Sequence, residues 1–414
     1  MKKDIAGAGP ESSAPTFQVL ESLVREQAQA LIQRVLEEEV TELLGREKSE
    51  RIEVVDAPKG YRNGHGKPRK LTMSSGTITV RRPRVRGLDE RFESRVLPLF
   101  ARRTREVAEL IPELYLHGLS EGDFDLALRG LLGEDAPLSK PTIRRLKAAW
   151  AEDFEAWNRR SLHDREVVYV WVDGVYVKAG LERDKAAVLV VIGAMSDGTK
   201  EVLALTSGYR ESTESWADVF RDLVARGLGE PRLLVADGNA GIWAAVAQVW
   251  PRAEEQRCWL HKIRNVLDRM PKREHEEAKG LLRAIAYAPS LAAALKAREA
   301  FTKRYRLGCA KAVQVLEDDW DRMVTFYRFP QSHWQHIRTT NVVESPFASV
   351  RLRTSAAKRF KRVEHATALI WKLLGVAEKR FRKLRAPHEM KDVFEGREYE
   401  DGMPVSTHQR REAA

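Results

Sequence analysis

An α/β fold flanked by helical regions is what this 414-residue sequence predicts, on three observations. β-rich apolar runs crowd between residues 166 and 260: VVYVWVDGVYVK, AAVLVVIGAM, EVLALTSG, RLLVAD and EQRCWL. Helical periodicity dominates before residue 160 and after residue 261. Lys and Arg outnumber Asp and Glu by 71 to 60, a net charge of +11 that favours a polyanionic partner, nucleic acid first.

The chain is too long for one ordinary domain. Its 43% hydrophobic content supplies core enough to exclude global disorder. Two cysteines, Cys258 and Cys309, cannot alone build a zinc finger or a disulfide framework, which points to a reducing compartment. No apolar stretch follows Lys2 and Lys3, which argues against a signal peptide. The longest apolar runs, such as 186–194, are too short to cross a bilayer, so a soluble intracellular protein without a membrane partner is expected.

Residues 1–16 read as a flexible tail. Residues 17–46 carry helical periodicity through Leu20, Leu23, Leu31, Val35, Val40 and Leu44, ending at Gly45. The stretch 59–86 holds nine Lys/Arg and no acid. Alternation from Thr77 to Arg82 predicts a strand entered through Ser75-Gly76, and Pro83 demotes the residues after it to an edge strand or loop. Such a ribbon, with Arg81, Arg82 and Arg84, could lie along a phosphate backbone or be a solvated surface. Helices are expected over Arg105–His117, from Ser120 through Leu132, and from Ser139-Pro141 through Trp150. Arg144, Arg145 and Lys147 decorate the last, so 104–160 fits a helix-turn-helix as well as a plain bundle.

Within 164–264 the Ser196-Asp197-Gly198 turn joins two antiparallel strands. A helix from Ser212 to Arg226, a strand ending at Asp237, a helix through Trp250 and a strand over 255–260 come next, with parallel pairing in this second half. Trp216 and Trp243 read as core. Residues 265–335 show no strand signal, and helix returns over 336–385. Twelve Lys/Arg against Glu364 and Glu378 concentrate charge between Arg351 and Arg385. Residues 386–414 read as a frayed tail.

Three acids stand where hard-cation ligands would serve: Asp173 in an apolar run, Asp237 closing one, and Glu344 at a helix start. Each has a structural rival. Asp173-Gly174 is a hairpin-turn signature. Asp237-Gly238-Asn239 could be a helix-entry turn. Glu344 lies three residues after Asn341, the spacing of a capping box.

The segments WVDGVYVK, LLVADGNAG, RCWLHKIRN and TTNVVESPFASVRLRT resemble the Mutator-type transposases of bacterial insertion sequences. YRNGHGKPRKLTMSSGTITVRRPRVRG and LYLHGLS extend the resemblance over roughly 17–385. It implies a ribonuclease H-like core interrupted by an all-helical insertion and preceded by a helical DNA-binding region. It also implies a DDE triad, carried onto Asp173, Asp237 and Glu344 as catalytic residues and metal ligands. Residues 166–178 would then be one strand rather than a hairpin. Cys258 and His261 match the family's Cys/Asp-x-x-His pair.

From the resemblance, two-metal phosphoryl transfer with Mg2+ is expected, Mn2+ being able to substitute. The partners would be terminal inverted repeats and target DNA, handled by a homodimer or higher oligomer in the cytoplasm at the nucleoid. Cys258 and His261 alone make an incomplete zinc site. His261 is expected to orient the active site or touch a phosphate, with Cys258 a small buried residue. Lys262, Arg264, Arg351, Arg353 and Arg359 are candidate phosphate contacts. Against this stand a DNA-binding protein derived from a transposase without catalysis, and another ribonuclease H-like nuclease or resolvase.

Overall fold

The computed structural model describes residues 17–50, 60–97, 101–119, 127–129, 132, 140–178, 185–208, 211–356, 360 and 362–405. The chain divides into two compact units, 1–146 and 147–414.

In the first unit, α1 (Phe17–Leu44) ends where Gly45 takes a φ of +62°. Leu36, Val40 and Leu44 recur every four residues and are buried. Two ribbons come after it. In one, β2 (Arg69–Met73) pairs antiparallel with β3 (Gly76–Val80); in the other, β1 (Tyr61–His65) pairs with β4 (Pro83–Arg86). The strand expected from Gly76 is therefore present, and Pro83 opens an edge strand. Leu36 shares a core with Leu71, Ile78, Val80 and Leu97. Gln29 accepts from the Thr79 N–H at 3.1 Å, and Gln33 accepts from the Arg81 N–H at 3.0 Å. Side chains of α1 thus satisfy backbone donors at the sheet edge.

Helix α2 (Arg105–Leu116) buries Val107, Ile111 and Tyr115, again four apart. The helix expected from Ser120 lies mostly outside the described residues. The third forms within α3 (Lys140–Asn158), which crosses the division between the units.

The second unit is built on a five-stranded mixed sheet of order β7-β6-β5-β8-β9. β5 (Val167–Lys178) is unbroken and pairs antiparallel with β6 (Lys185–Met195) through Asp173↔Val190 and Gly174↔Leu189. β6 pairs antiparallel with β7 (Lys200–Gly208). β5 also runs parallel to β8 (Leu233–Ala236), which runs parallel to β9 (Glu254–Arg257). The hairpin reading of Asp173-Gly174 fails here. A strand buried on both faces and paired on both sides reads as a continuous apolar run, and Asp-Gly is carried inside it.

Side-chain alternation sorts the two faces. Val170, Val172, Leu189, Val191, Leu234 and Ala236 join one core with Trp216, Phe220, Trp243 and Trp250, supplied by α4 (Thr213–Ala225), α5 (Ala240–Val249) and its C-cap. Phe220 stacks on Trp250 with centroids 4.6 Å apart. Tyr169, Trp171 and Asp173 therefore point to the opposite face. There the Tyr169 hydroxyl lies 2.8 Å from His333 Nδ1, and Trp171 Nε1 donates to the His336 carbonyl at 3.1 Å.

After β9, the described residues up to 356 hold helices and no strand. They are α6 (Trp259–Leu267), α7 (His275–Ala286), α8 (Leu291–Tyr305), α9 (Ala310–Glu317), α10 (Trp320–Val324), α11 (Trp334–Ile337) and α12 (Asn341–Ala356). The expected strand over 255–260 is shorter than predicted: it stops at Arg257 and Trp259 begins α6. Trp259 is buried because its indole N–H reaches the Met323 carbonyl at 2.8 Å. α12 packs on β5 and β6, and α13 (Val363–Glu378) packs on β7.

Residues 387–405 correct the expectation of a frayed tail over 386–414, of which 406–414 lie outside the described residues. α14 (Pro387–Phe394) buries Met390 and Val393, and a short hairpin of β10 (Tyr399–Glu400) and β11 (Met403–Pro404) buries Tyr399. Few apolar groups are present, but Met390, Val393 and Tyr399 land on the core-facing side, and Arg232 ties the segment down through the Phe394 carbonyl. No helix among the described residues is long and apolar enough to cross a membrane.

Candidate active site

The strand registers bring the sequence-selected acids together. The β5–β8 ladder pairs Tyr169 with Leu233, Val170 with Leu234 and Trp171 with Val235, a constant offset of 64 residues. Continued two residues further, it sets Asp173 level with Asp237 on the same face. The β8–β9 ladder ends at Ala236↔Arg257. Its next step sets Asp237 beside Cys258, whose N–H donates to the Ala236 carbonyl at 2.7 Å. Asp173 on β5 is thus in line with Asp237 and Cys258, the residues that directly follow β8 and β9. α12 brings Glu344 over β5.

Electrostatics couples the acids. Burial pushes the Asp173 carboxyl up to about 7, and the charges of Asp237 and Glu344 push the same way; the Gly174 N–H, donating at 2.8 Å, and His261 oppose them. Asp237 Oδ1 also accepts from the Asn239 N–H at 3.0 Å, and Asn239 caps α5 through Gly241 at 2.8 Å. The helix-entry role and a place in the acid cluster coexist at Asp237.

Glu344 is held differently from the capping box expected at Asn341. Asn341 is already helical, and Thr340 stands before it. The Glu344 N–H donates to the Thr340 carbonyl at 3.0 Å, and its carboxylate accepts from the Thr340 hydroxyl. Thr340 also reaches Cys258: its N–H donates to Sγ at 3.3 Å, and its Oγ1 lies 3.1 Å from Sγ. His261 Nδ1 is 3.5 Å from Thr340 Oγ1 and 3.6 Å from Glu344 Oε1. The hydrogen bond to the Cys258 sulfur pushes His261 up to about 9; burial opposes this, and the charges of Glu344 and Asp237 add to it. The charged form of His261 is thus favoured beside the acid cluster.

A buried Asp173 carboxyl pushed up by burial and by the charges of Asp237 and Glu344 suits a hard divalent cation, which takes oxygen donors. Cys258, His261 and Glu344 also place one donor atom each within 4.8 Å of one another. That set is one short of the four ligands normal for structural zinc.

With this geometry in hand, the sequence pattern of the family described as "Transposase, Mutator family" matches residues 8–383. The chain belongs to the Mutator transposase family. A transposase for insertion sequence element IS6120 of Mycolicibacterium smegmatis is 43% identical over 296 residues, covering 72% of this chain and 92% of that protein. A transposase for insertion sequence element IST2 of Acidithiobacillus ferrooxidans is 40% identical over 282 residues, covering 68% and 95%. One for ISRM5 of Rhizobium meliloti is 29% identical over 350 residues, covering 84% and 85%.

Within this Mutator-family chain, the basic residues selected from the sequence divide. Arg81, Arg84, Arg145, Arg264 and Arg351 are exposed, while Arg82 and Lys147 are half-buried. The Arg144 side chain and Arg359 lie outside the described residues. Two selections are corrected. Lys262 is fully buried: its Nζ donates to the Val315 carbonyl at 2.5 Å and to the Asp318 carbonyl, with Asp319 3.9 Å away. Arg353 is only 4% exposed, on the inward side of α12. Both sit on the side that their helix turns to its neighbours, away from solvent.

Sequence reasoning missed Thr340. Its signal was available: Thr340 and Glu344 are four apart, one helical turn. It also missed Arg257, which ion-pairs with Asp319 and lies under the Asp237–Asn239 turn, where a Cβ on Gly238 would meet its Nε at 2.1 Å.

Proposed function

We propose that this chain is an insertion-sequence transposase that binds the terminal inverted repeats of its element and catalyses metal-dependent DNA strand cleavage and strand transfer. The observation that carries the reading is Asp173 on β5 in line with Asp237 at the end of the adjacent parallel β8, with the charges of Asp237 and Glu344 both acting on Asp173. The sheet order, three antiparallel strands followed by two parallel ones, supports a ribonuclease H-like core. The run of helices between Trp259 and Ile337 supports a helical insertion before the last acid.

In this reading Asp173, Asp237 and Glu344 hold two Mg2+ ions, for which Mn2+ can substitute. When bound, such ions activate the attacking oxygen and stabilise the leaving oxygen of an in-line displacement. Thr340 and His261 fix the Glu344 carboxylate by hydrogen bonding and charge. Asn239 holds Asp237 through its backbone N–H, and the neighbouring Gly174 N–H holds Asp173. Arg264, three residues after His261, and Arg351, two turns after Glu344, present exposed charge for the phosphate backbone. Two ends must be brought together, so the working form is a homodimer or larger assembly.

Retention of all three acids in one cluster favours this over a DNA-binding derivative without catalysis. The test is incubation of purified protein with end-containing DNA and Mg2+. Nicked and joined products are expected; binding to ends without cutting in Mg2+ or Mn2+ would leave the non-catalytic reading standing.

A further inference from the structure

A fourth carboxylate, Glu211, stands beside this cluster. It is half-buried, just before the Ser212 cap of α4. Its environment joins both acid-bearing segments. On one side, Asn239 Nδ2 donates to Glu211 Oε2 at 3.3 Å, and the Asn239 N–H is the donor that holds Asp237. On the other, Glu211 Oε1 lies over Gly174, whose N–H holds Asp173: a Cβ built on Gly174 would come within 1.9 Å of that oxygen. The Tyr176 hydroxyl, also on β5, stands near enough to the same carboxylate to interact with it.

The backbone makes room for this arrangement twice. Gly174 adopts ordinary strand geometry and needs no special φ, so the missing side chain is what matters there. At Gly241, an added Cβ would meet the Thr213 nitrogen at 2.8 Å and the Ser212 carbonyl carbon at 3.0 Å. The segment holding Glu211 is therefore seated against β5 on one side and the Asp237–Gly241 turn on the other.

We propose that Glu211 is a positioning residue that ties the strand bearing Asp173 to the turn bearing Asp237 and so fixes the two acids in register for a divalent cation. The inference rests on the carboxylate-site reading above. The Glu211 carboxylate is engaged by Asn239 through Oε2 and packed over Gly174 through Oε1, which assigns it a bracing role rather than a ligand role. Glu211 is also repelled by Asp237, and burial pushes its own carboxyl up. The hydrogen bond from Asn239 holds it in place against that repulsion.

The experiment measures Mn2+ binding to the full-length protein by calorimetry without DNA, alongside end-DNA binding and melting. Glu211→Ala is expected to weaken Mn2+ binding about tenfold while end binding changes less than about twofold. Glu211→Gln, which keeps an acceptor for Asn239 and a partner for Tyr176, is expected to stay within about threefold of wild type. Gly174→Ala leaves every charge in place but displaces Glu211, and should reproduce the Glu211→Ala loss. Adding it to Glu211→Ala should cost little more, since the oxygen it displaces is gone. Glu211→Ala binding Mn2+ like wild type would overturn the role of Glu211 alone. Glu211→Gln as weak as Glu211→Ala would overturn bracing in favour of charge. Wild-type protein that takes up no Mn2+ would overturn the carboxylate-site reading itself.

Discussion

A buried ammonium needs oxygen partners, and Lys262 has them in the Val315 and Asp318 carbonyls. Burial and the nearby Arg257 still push its pKa down to about 8, against the pull of Asp319 and Asp318. Lys262→Met should therefore cost about 1–3 kcal/mol of stability by orphaning those carbonyls, as read from chemical denaturation. Its effect on the salt dependence of DNA binding should be nil. Arg351→Ala should do the opposite: unchanged melting, and a slope of log affinity against log salt reduced by about 1. The two residues look alike in sequence, each a cation in a basic helix beside a candidate catalytic group. What separates them is the side of the helix they occupy, which depends on the tertiary neighbour and not on local composition. The acids were easier to find, because a carboxylate inside an apolar strand is costly and so stands out. Thr340 and Glu211 carried no comparable cost and were not singled out.

At the scale of elements, β5 shows how a local rule loses to its surroundings. Asp-Gly between alternating apolar residues is a strong turn signal, yet β6 pairs straight across it, and β8 pairs with the residues just before it. The strand and helix pattern of 166–257 was otherwise legible, because burial on both faces writes long apolar runs. The C-terminal helix was not legible, because two buried residues in eight leave little periodicity. Met390→Ala should nonetheless cost about 2–4 kcal/mol, measured by denaturant titration; a frayed tail would show no loss. Beneath β5, burial chiefly, with Lys200, His333 and Arg385 adding, pushes the His336 imidazole down to about 4, and burial lowers His333 as well. A depressed histidine stabilises above its unfolded value near 6.5 and loses that contribution as pH falls toward 4. Wild type should lose about 1–2 kcal/mol more than His336→Asn over this window, after allowance for partial solvent screening. Comparing the two proteins removes the opposite trend from Asp173 and Glu378, whose raised values favour the fold at low pH. Equal losses in both would remove His336 from the account.

For the molecule as a whole, the sequence order of the acids becomes spatial order through register. The 64 residues between Asp173 and Asp237 equal the offset of the β5–β8 ladder, so one number read from the chain is also the geometry of the site. Glu344 closes the cluster from α12, separated from the last strand of the sheet by a run of helices, which no local pattern could have located. Family resemblance supplied that link, and the coupled charges of Asp173, Asp237, Glu344 and His261 support it. The measurement that tests the central claim most directly compares Asp237→Asn with wild type in parallel assays of end binding and Mg2+-dependent strand cleavage. Binding should persist within about twofold while cleavage falls by at least about a thousandfold, as expected when a charged group central to metal-assisted displacement is neutralised. Cleavage at the wild-type rate by a folded, end-binding Asp237→Asn protein would contradict it.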